Sequence, residues 1–268
     1  MTARIAIFGL GEAGSLIARD LASAGADVHA FDPAGVSTPG GVHRHATASE
    51  AVVGASLIMA VTAAADAQIA IAQAWDRLRR GALYADLSTA PASLKQDLND
   101  SATMRGLAFA DVALMAPVPG SGLATPALAS GSGARRYAEL VNGFGGAVEV
   151  VSEKAGDAAT RKLLRSVFVK GLTGVLIETL RAADAAGEGT WIRDHLAGVV
   201  ASADGALFDR LLSGTPAHAK RRAEEMEHAA TLLRQLGVEP SITEVIARML
   251  HDTDTSSMPV WIPSPSES

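Results

Sequence analysis

The chain has 268 residues, of which 48% are hydrophobic and only 4% aromatic, and its formal charge at neutral pH is −6. This length suffices for two domains with sizeable cores, and the acidic balance leaves no basic surface for a nucleic-acid backbone. Since the chain has no cysteine, disulfides, thiolate nucleophiles and Cys-ligated zinc are excluded, and we predict no metal site.

The start of the chain has the pattern of a dinucleotide-binding turn. Four apolar residues, 5–8, predict a buried strand, and a glycine triplet, a helix and a second strand ending at Asp32 follow. In such a turn the glycines permit the tight bend, the approach of a pyrophosphate to backbone N–H groups, and close helix–strand packing. The acid accepts hydrogen bonds from ribose hydroxyls. We therefore predict cofactor contacts from Asp32 and from Gly9, Leu10, Gly11, Glu12, Ala13 and Gly14.

The rest of the first half alternates between strands and helices. After a loop over 34–41, strands are predicted at 57–61, 83–85, 107–115, 128–130 and 147–151, and helices at 49–53, 66–80, 93–101 and 134–142. This alternation predicts an α/β fold, a Rossmann-type doubly wound parallel sheet. Ligands bind at the carboxyl ends of such strands, so Thr62, Thr89 and the loop 117–122 are predicted at the site.

From about Ala155 the pattern is only helical. We predict a dinucleotide-binding domain over 1–153 and an all-α substrate and dimerisation domain over 154–268. Its helices are predicted at 156–186, 190–203, 207–212, 217–236 and 242–251, and residues 256–268 are predicted to form a loose tail. The unusual length of the first helix predicts a homodimer through this domain.

Polar residues occupy two helical faces that are otherwise apolar. Lys162, Ser166 and Lys170 recur at four-residue spacing on the first helix, and His218 and Arg222 begin a similar stripe on a later one. A solvated helix end explains His218 and Arg222 equally well, but it is the less favoured explanation for Lys162. The functional alternative makes the first three catalytic and the last two substrate-binding.

Together these motifs resemble the β-hydroxyacid dehydrogenases, the family of 3-hydroxyisobutyrate and 6-phosphogluconate dehydrogenases, over nearly the whole chain. The glycine turn is similar to the family's cofactor signature, and residues 86–89 to its Asp-x-Ser-Thr segment. Residues 116–118 are similar to the start of its substrate loop. Lys162, six residues after Gly156, matches the spacing of its catalytic lysine.

Two positions depart from this family pattern. Pro119 replaces the serine of the substrate loop, and Arg165-Ser166 replaces an Asn-Asn pair. The helical half resembles a poorly characterised branch of the superfamily.

The resemblance implies hydride transfer between a nicotinamide cofactor and the carbinol carbon of a small hydroxyacid-like substrate. Lys162 would pass the hydroxyl proton, Ser166 would orient the substrate, and the segment of Gly120, Ser121 and Gly122 would bind a carboxylate. We expect NAD as the cofactor, with NADP possible, because the carboxylate of Asp32 would repel a 2′-phosphate.

Three alternatives stay open. An imine reductase has the same architecture, although its members usually lack the lysine. A decarboxylating enzyme like 6-phosphogluconate dehydrogenase would need a further acid. A non-catalytic dinucleotide-binding protein would fit Pro119 and Ser166.

No secretory signal precedes the first strand, and the uncharged runs are too short or too rich in proline to span a bilayer. We therefore expect a soluble, cytoplasmic protein without a membrane partner.

Overall fold

A computed structural model describes residues 3–253, and the predicted tail over 256–268 lies outside them. The predicted Rossmann-type sheet is confirmed, with strands in the order β3-β2-β1-β4-β5-β6-β7-β8. This order reverses between β1 and β4, as in dinucleotide-binding folds. The strands are β1 Arg4–Phe8, β2 Asp27–Phe31, β3 Val42–Arg44, β4 Leu57–Ala60, β5 Leu83–Asp86, β6 Ala108–Leu114, β7 Pro126–Ser130 and β8 Ala147–Ser152.

Helices cover both faces of the sheet. Ile7 points into one apolar layer, which includes Ile17 and Leu21 of α1, whereas Phe8 points into the other, which includes Ile71 of α3. Strands buried on both faces need no polar alternation, which explains the continuous apolar run of β1. The helices are α1 Glu12–Ser23, α2 Ala48–Ala51, α3 Ala64–Ala74, α4 Ala92–Met104 and α5 Ala134–Gly143.

The sheet departs from the expected pattern at β7, which runs antiparallel to β6, so the prediction of a wholly parallel sheet is wrong there. The connection between them carries only a 3₁₀ turn, Gly122–Ala124, and is too short for a crossover helix. The edge strand β3 was not predicted, because three residues show no alternation. The helix predicted over 66–80 ends earlier, at Ala74. A 3₁₀ turn follows over Trp75–Arg77, and the backbone is extended at Leu78.

The second half of the described chain is helical, as predicted. Its helices are α6 Asp157–Ala185, α7 Gly189–Ala201, α8 Gly205–Ser213, α9 Thr215–Gln235 and α10 Ser241–His251. Residue contacts divide the chain into two compact units between Ser166 and Val167, so the first turns of α6 belong with the sheet. The domain boundary expected at 153–154 stays a prediction. Across residues 3–253 no helix is both long and apolar enough to cross a membrane.

A buried carboxylate holds the start of α10 within the second unit. Glu178 accepts hydrogen bonds from the backbone N–H groups of Ile242 (2.8 Å) and Thr243 (2.9 Å), and from the Thr243 hydroxyl (2.6 Å). Burial raises the pKa of this carboxyl, but the hydrogen bonds from Thr243, Ile242 and Ser241 outweigh burial and lower the pKa below its ordinary value. The ionised form of Glu178 therefore stabilises the packing of α10 on α6.

Replacement of Glu178 by glutamine is expected to lower the free energy of unfolding by about 1–3 kcal/mol at pH 7, because it weakens three hydrogen bonds to a charged group. A carboxyl with a lowered pKa stabilises above the unfolded-state pKa, and this contribution is lost as the pH falls through the lower folded-state pKa. Urea unfolding between pH 7 and pH 3 measures the difference, which should shrink in acid. Glu224→Gln, at an exposed position on α9, is the control. A Glu178→Gln difference that grows in acid would contradict this assignment.

Candidate active site

The glycine turn after β1 is shaped by two close approaches. Gly9 has φ +93°, and a Cβ there would lie 2.4 Å from the Thr62 methyl group. A Cβ on Gly14 would lie 2.1 Å from the carbonyl oxygen of Gly9, so the helix can approach the strand only without a side chain. Gly11 has no atom within 4 Å of a built Cβ, and α1 has no side-chain cap at this residue. Gly11 and the first amides of α1 therefore border open space at the strand ends.

Asp32 closes this turn at the end of β2. Its half-buried carboxylate accepts hydrogen bonds from the backbone N–H of Leu10 (2.6 Å) and of Ala34 (2.7 Å). Each carboxylate oxygen keeps a further lone pair for a hydroxyl group. The Arg44 guanidinium donates to the carbonyl oxygens of Asp32 (2.8 Å), Ala34 and Val36. A basic group thus lies against the loop that follows Asp32, although no lysine or arginine occurs between Asp32 and Arg44 in the sequence.

A mostly apolar cleft of about 460 Å³ opens beside the glycine turn. It is lined by Phe8, Gly9, Phe31, Pro33, Thr62, Asp66, Ile69, Ala70 and Gln73. The predicted cofactor residues Gly9 and Thr62 therefore border one cavity, and Asp32 lies between two of its lining residues in the chain. This cavity provides an apolar surface next to the glycine turn, suited to a flat heteroaromatic group.

The Asp-x-Ser-Thr segment forms a turn at the end of β5. The Asp86 carboxylate accepts hydrogen bonds from the backbone N–H and the hydroxyl of Ser88, each at 3.0 Å, and both residues are buried. Thr89 follows at an exposed position. Asp86 thus shapes the turn, and the turn presents Thr89 at the carboxyl ends of the strands, where the sequence predicts it.

The start of α6 is fixed against the sheet. Gly156 has φ +98°, and a Cβ there would lie 2.9 Å from the carbonyl oxygen of Ala92 on α4. Lys162 and Ser166 follow on this helix and are half-buried, whereas Lys170 is exposed. The predicted polar face of α6 therefore exists as a helical face, and the catalytic roles of its members stay predictions.

The loop before β7 is anchored on α1. The Asp20 carboxylate accepts a hydrogen bond from the backbone N–H of Leu123 (2.9 Å), and a Cβ on Gly122 would lie 1.8 Å from the same carboxylate oxygen. The amides of Ser121 and Gly122 already donate to the Val118 carbonyl oxygen. Two of the backbone groups expected to bind a carboxylate are thus engaged within the loop. The Ser121 hydroxyl and Gly120 lie at exposed positions and are the better candidates.

His218 and Arg222 lie on α9, in the second unit. His218 is exposed, and Arg222 is half-buried. The Arg222 guanidinium donates to the Thr215 hydroxyl (2.5 Å) and to the Leu211 carbonyl oxygen (3.5 Å), so it stabilises the corner between α8 and α9. Their contact with a substrate stays a prediction.

Comparison with protein families identifies the first unit. Residues 4–134 match the NAD binding domain of 6-phosphogluconate dehydrogenase, and they include the glycine turn, Asp32 and the Asp86 turn. They form an NAD-binding domain that is similar to that of 6-phosphogluconate dehydrogenase. Residues 183–253 match a domain of unknown function, DUF1932. The chain therefore joins this NAD-binding domain to a helical domain of another family, and the predicted likeness to 6-phosphogluconate dehydrogenase is confirmed.

Two proteins of unassigned function are similar to this chain, the first over part of its length and the second over most of it. An uncharacterized 28.5 kDa protein from Methanothermus fervidus is 31% identical over 103 residues, which cover 37% of this chain and 39% of that protein. A conserved hypothetical protein from Sinorhizobium meliloti 1021 is 28% identical, with a TM-score of 0.60, over 94% of this chain and 88% of its own.

An imine reductase from Myxococcus stipitatus is similar in fold. Its V8 variant in complex with NAD+ is 20% identical, with a TM-score of 0.79, over 94% of both chains. The same enzyme in complex with NADP+ gives 20%, a TM-score of 0.77 and 95% of both chains. At this identity the likeness shows the fold.

The NAD-binding domain fits its cofactor at the level of single residues. Gly11 leaves open the space that a Cβ would fill, and the α1 amides lack a side-chain cap. Both features suit an anionic pyrophosphate at a helix N-terminus. Asp32 is fixed by two backbone N–H groups, and each oxygen still has a lone pair. The NAD-binding domain therefore has the donors for a pyrophosphate and the acceptor for a ribose.

Two buried residues of the NAD-binding domain were missed by the sequence reasoning. Lys95 and Asp111 are both fully buried and form an ion pair at 3.3 Å. The sequence does carry a signal, because Lys95 shares its face of α4 with the buried Leu98 and Ala102, and Asp111 interrupts an apolar strand. A charged residue at a core position needs a buried partner, so each of these two residues indicates that an oppositely charged residue is buried beside it.

Proposed function

We propose that the chain is an NAD(P)-dependent oxidoreductase that acts on the carbinol carbon of a small hydroxyacid-like substrate, with Lys162 as the proton-transfer group. The observation that carries the proposal is the half-buried Lys162 on α6, a helix whose start is packed against the NAD-binding domain at Gly156. The spacing of this glycine and this lysine matches the catalytic lysine of the β-hydroxyacid dehydrogenases.

Each residue has a separate task in the proposed mechanism. A nicotinamide cofactor would supply the hydride-transfer chemistry when bound. Gly11 and the first amides of α1 would hold the pyrophosphate, Gly9 shapes the turn that leads to them and donates its own N–H to the Phe31 carbonyl oxygen, and Asp32 would accept hydrogen bonds from the ribose. Lys162 takes the hydroxyl proton as the alcohol is oxidised and returns it in the reverse direction. The neighbouring Ser166 orients the substrate, and the segment of Gly120 and Ser121 binds its carboxylate.

Reduction of a carbon–nitrogen double bond is the second candidate function, and the similarity in fold to an imine reductase favours it. The two functions differ in their need for the lysine, which the family resemblance assigns to oxidation of alcohols. A panel of hydroxyacids and cyclic imines, each with both nicotinamide cofactors, separates them by absorbance at the reduced nicotinamide band. Turnover of imines alone would exclude the hydroxyacid proposal, and turnover with release of carbon dioxide would favour the decarboxylating alternative.

The helical half is proposed to join two copies of the chain. Four large apolar side chains follow one face of α6 at helical spacing and are exposed by 66%, 73%, 64% and 40% of their surfaces: Leu164, Val167, Phe168 and Leu172. A mostly apolar groove of about 820 Å³ lies within the second unit, lined mainly by residues of α6, α7 and α9. Monomeric proteins rarely expose several large apolar side chains side by side, as α6 does.

Sedimentation velocity is therefore expected to show a dimer at micromolar concentration. Phe168→Glu should shift the dimer toward monomer, because a charge would be buried in an apolar interface. Met104→Glu, at a position 78% exposed on α4, changes another exposed apolar residue in the other unit and should leave the dimer intact. A wild-type chain that stays monomeric throughout this range would contradict the proposal.

The chain is expected to bind NAD at least about tenfold more tightly than NADP. A 2′-phosphate would lie close to the Asp32 carboxylate, and like charges at about 4 Å repel by about 4 kcal/mol at an effective dielectric constant near 20, less where water screens them. Asp32→Ala should weaken NAD binding and narrow the preference, as measured by isothermal titration with each cofactor.

Arg44→Ala is the matched variant for this experiment. Its guanidinium is engaged with three carbonyl oxygens of the neighbouring loop, so its loss should change the preference less than the loss of Asp32. Wild-type affinities that favour NADP, abolished in Arg44→Ala, would show that the arginine outweighs the carboxylate.

A further inference from the structure

A buried lysine joins two neighbouring strands below the candidate active site. Asp86 of β5 and Asp111 of β6 are adjacent in register, and both are fully buried, as is Lys95 of α4. The Lys95 ammonium lies 3.1 Å from Asp86 Oδ2 and 3.3 Å from Asp111 Oδ1. It also donates to the carbonyl oxygens of Asp86 (3.0 Å) and Ser88 (2.8 Å). A single cation thus binds both carboxylates and the turn that precedes Thr89.

The other oxygen of Asp111 holds the start of α6. Asp111 Oδ2 accepts hydrogen bonds from the backbone N–H of Gly156 (3.2 Å) and Ala159 (3.0 Å), and from the Ser130 hydroxyl (3.1 Å). The same hydroxyl accepts one from the N–H of Ala158 (3.0 Å). A carboxylate is favoured at a helix N-terminus, where unpaired amides carry partial positive charge. Two buried side chains therefore bind three amides at the start of α6.

Charge balance makes Lys95 necessary to this arrangement. The cluster contains two carboxylates and one ammonium, all without contact with solvent. Without the cation, two adjacent carboxylates would face each other in the protein interior, and one of them would have to take up a proton or admit water. Either change weakens Asp111 as the acceptor for α6.

We propose that Lys95 is a positioning residue for the reaction, which fixes the start of α6, and with it the amine of Lys162, relative to the turn that presents Thr89. This inference rests on the proposed function, because it assigns a purpose to the location of Lys162. Six residues of helix separate Gly156 from Lys162, a rise of about 9 Å. A displacement of the helix start would move the Lys162 amine by nearly the same distance, because Gly156 and Lys162 lie in one unit with the sheet.

Lys95→Met keeps the length of the side chain and removes its charge. We expect kcat to fall about 10- to 100-fold, the effect of misplacing a reacting group by about 1 Å, while the Kd for NAD stays within about twofold. A second readout does not require activity. The pH dependence of acetylation of Lys162 by acetic anhydride, followed by mass spectrometry, should shift in the variant, because the surroundings of the amine change.

Further variants test the proposal where Lys95→Met does not fold. The double variant Lys95→Met with Asp111→Asn preserves the net charge of the cluster, and its loss of kcat should not exceed that of the single variant, because both residues act in one network. Ser130→Ala removes one hydroxyl and should cause a smaller loss. The control is Arg136→Met, which removes hydrogen bonds from a cation to the carbonyl oxygens of Gly81 and Ser56, just before the amino ends of β5 and β4.

The outcomes separate this inference from the proposed function. Wild-type kcat and an unchanged acetylation profile in the variants of Lys95, or in Ser130→Ala if neither lysine variant folds, would overturn the inference. Equal losses of kcat in Lys95→Met and Arg136→Met, with no shift in acetylation, would overturn it as well. If Lys162→Ala keeps turnover, the proposed function fails, and the acetylation profile alone then decides whether Lys95 positions this amine.

Discussion

Replacing Lys162 by alanine is expected to lower turnover about 10²- to 10⁴-fold, the usual contribution of general acid–base catalysis. The change removes the group that passes the substrate proton, and alanine is at least as good a helix former as lysine, so α6 should persist. The Kd for NAD should be nearly unchanged, because the glycine turn and Asp32 lie in the NAD-binding domain over residues 4–134, which does not include Lys162. Single-turnover hydride transfer and a cofactor titration on the same protein measure the two quantities.

Two matched variants show whether this loss belongs to Lys162 itself. Lys170→Ala removes a cation two helical turns further along the same face and should cost less. Arg161→Ala removes the neighbouring exposed cation from another face of α6 and should leave turnover near wild type. A Lys162→Ala protein with wild-type turnover would favour reduction of imines, for which the lysine is not required.

The sequence was sufficient to predict the glycine turn because its pattern is local. Gly9, Gly14 and Asp32 lie within one strand–helix–strand unit, and each residue type follows from a backbone requirement within that unit. The close contacts of Gly9 with Thr62 and of Gly14 with Gly9 leave no space for a side chain at either glycine, which explains why the motif has glycine at both positions. The same local character made most strands and helices predictable.

The Lys95 cluster was not predicted, because its members come from separate elements of the fold. Asp86, Lys95, Asp111 and Gly156 come together only when β5, β6, α4 and α6 have packed. Sequence periodicity places Lys95 on the apolar face of α4, but it cannot name the partner that makes a buried charge tolerable. The antiparallel β7 was missed for a related reason, since strand direction depends on the length of the connection and leaves no mark in the strand itself.

The substrate loop shows that a sequence motif does not determine which backbone N–H groups are available to a ligand. The family resemblance implies that the backbone of residues 120–122 would bind a carboxylate. In the structure the amides of Ser121 and Gly122 donate to Val118, and Asp20 occupies the space beside Gly122. These contacts connect the loop to α1, whose first turn borders the predicted pyrophosphate site.

Gly11→Ser is expected to weaken NAD binding about 10- to 100-fold without destabilising the protein. Gly11 is the N-cap of α1 in extended backbone, and no atom lies within 4 Å of a built Cβ, so serine fits the folded chain. Serine is also a preferred N-cap, since its hydroxyl accepts a hydrogen bond from an amide of the first turn. The same hydroxyl competes for the donors that a pyrophosphate needs, and hydrogen bonds to charged groups contribute about 1.5–3 kcal/mol each.

Thermal unfolding with and without NAD separates the two effects. At a concentration 100 times the wild-type Kd, NAD should stabilise the wild-type chain by about 2.7 kcal/mol, and a 100-fold weaker site would gain about 0.4 kcal/mol. Gly40→Ser, at another exposed glycine with nothing near a built Cβ, should keep the full gain. Gly14→Ala should lose both stability and binding, because its Cβ would strike the Gly9 carbonyl oxygen. If Gly11→Ser kept the full gain from NAD, the pyrophosphate could not lie against Gly11 and the first turn of α1, and the cofactor site would have to be placed elsewhere on the strand ends.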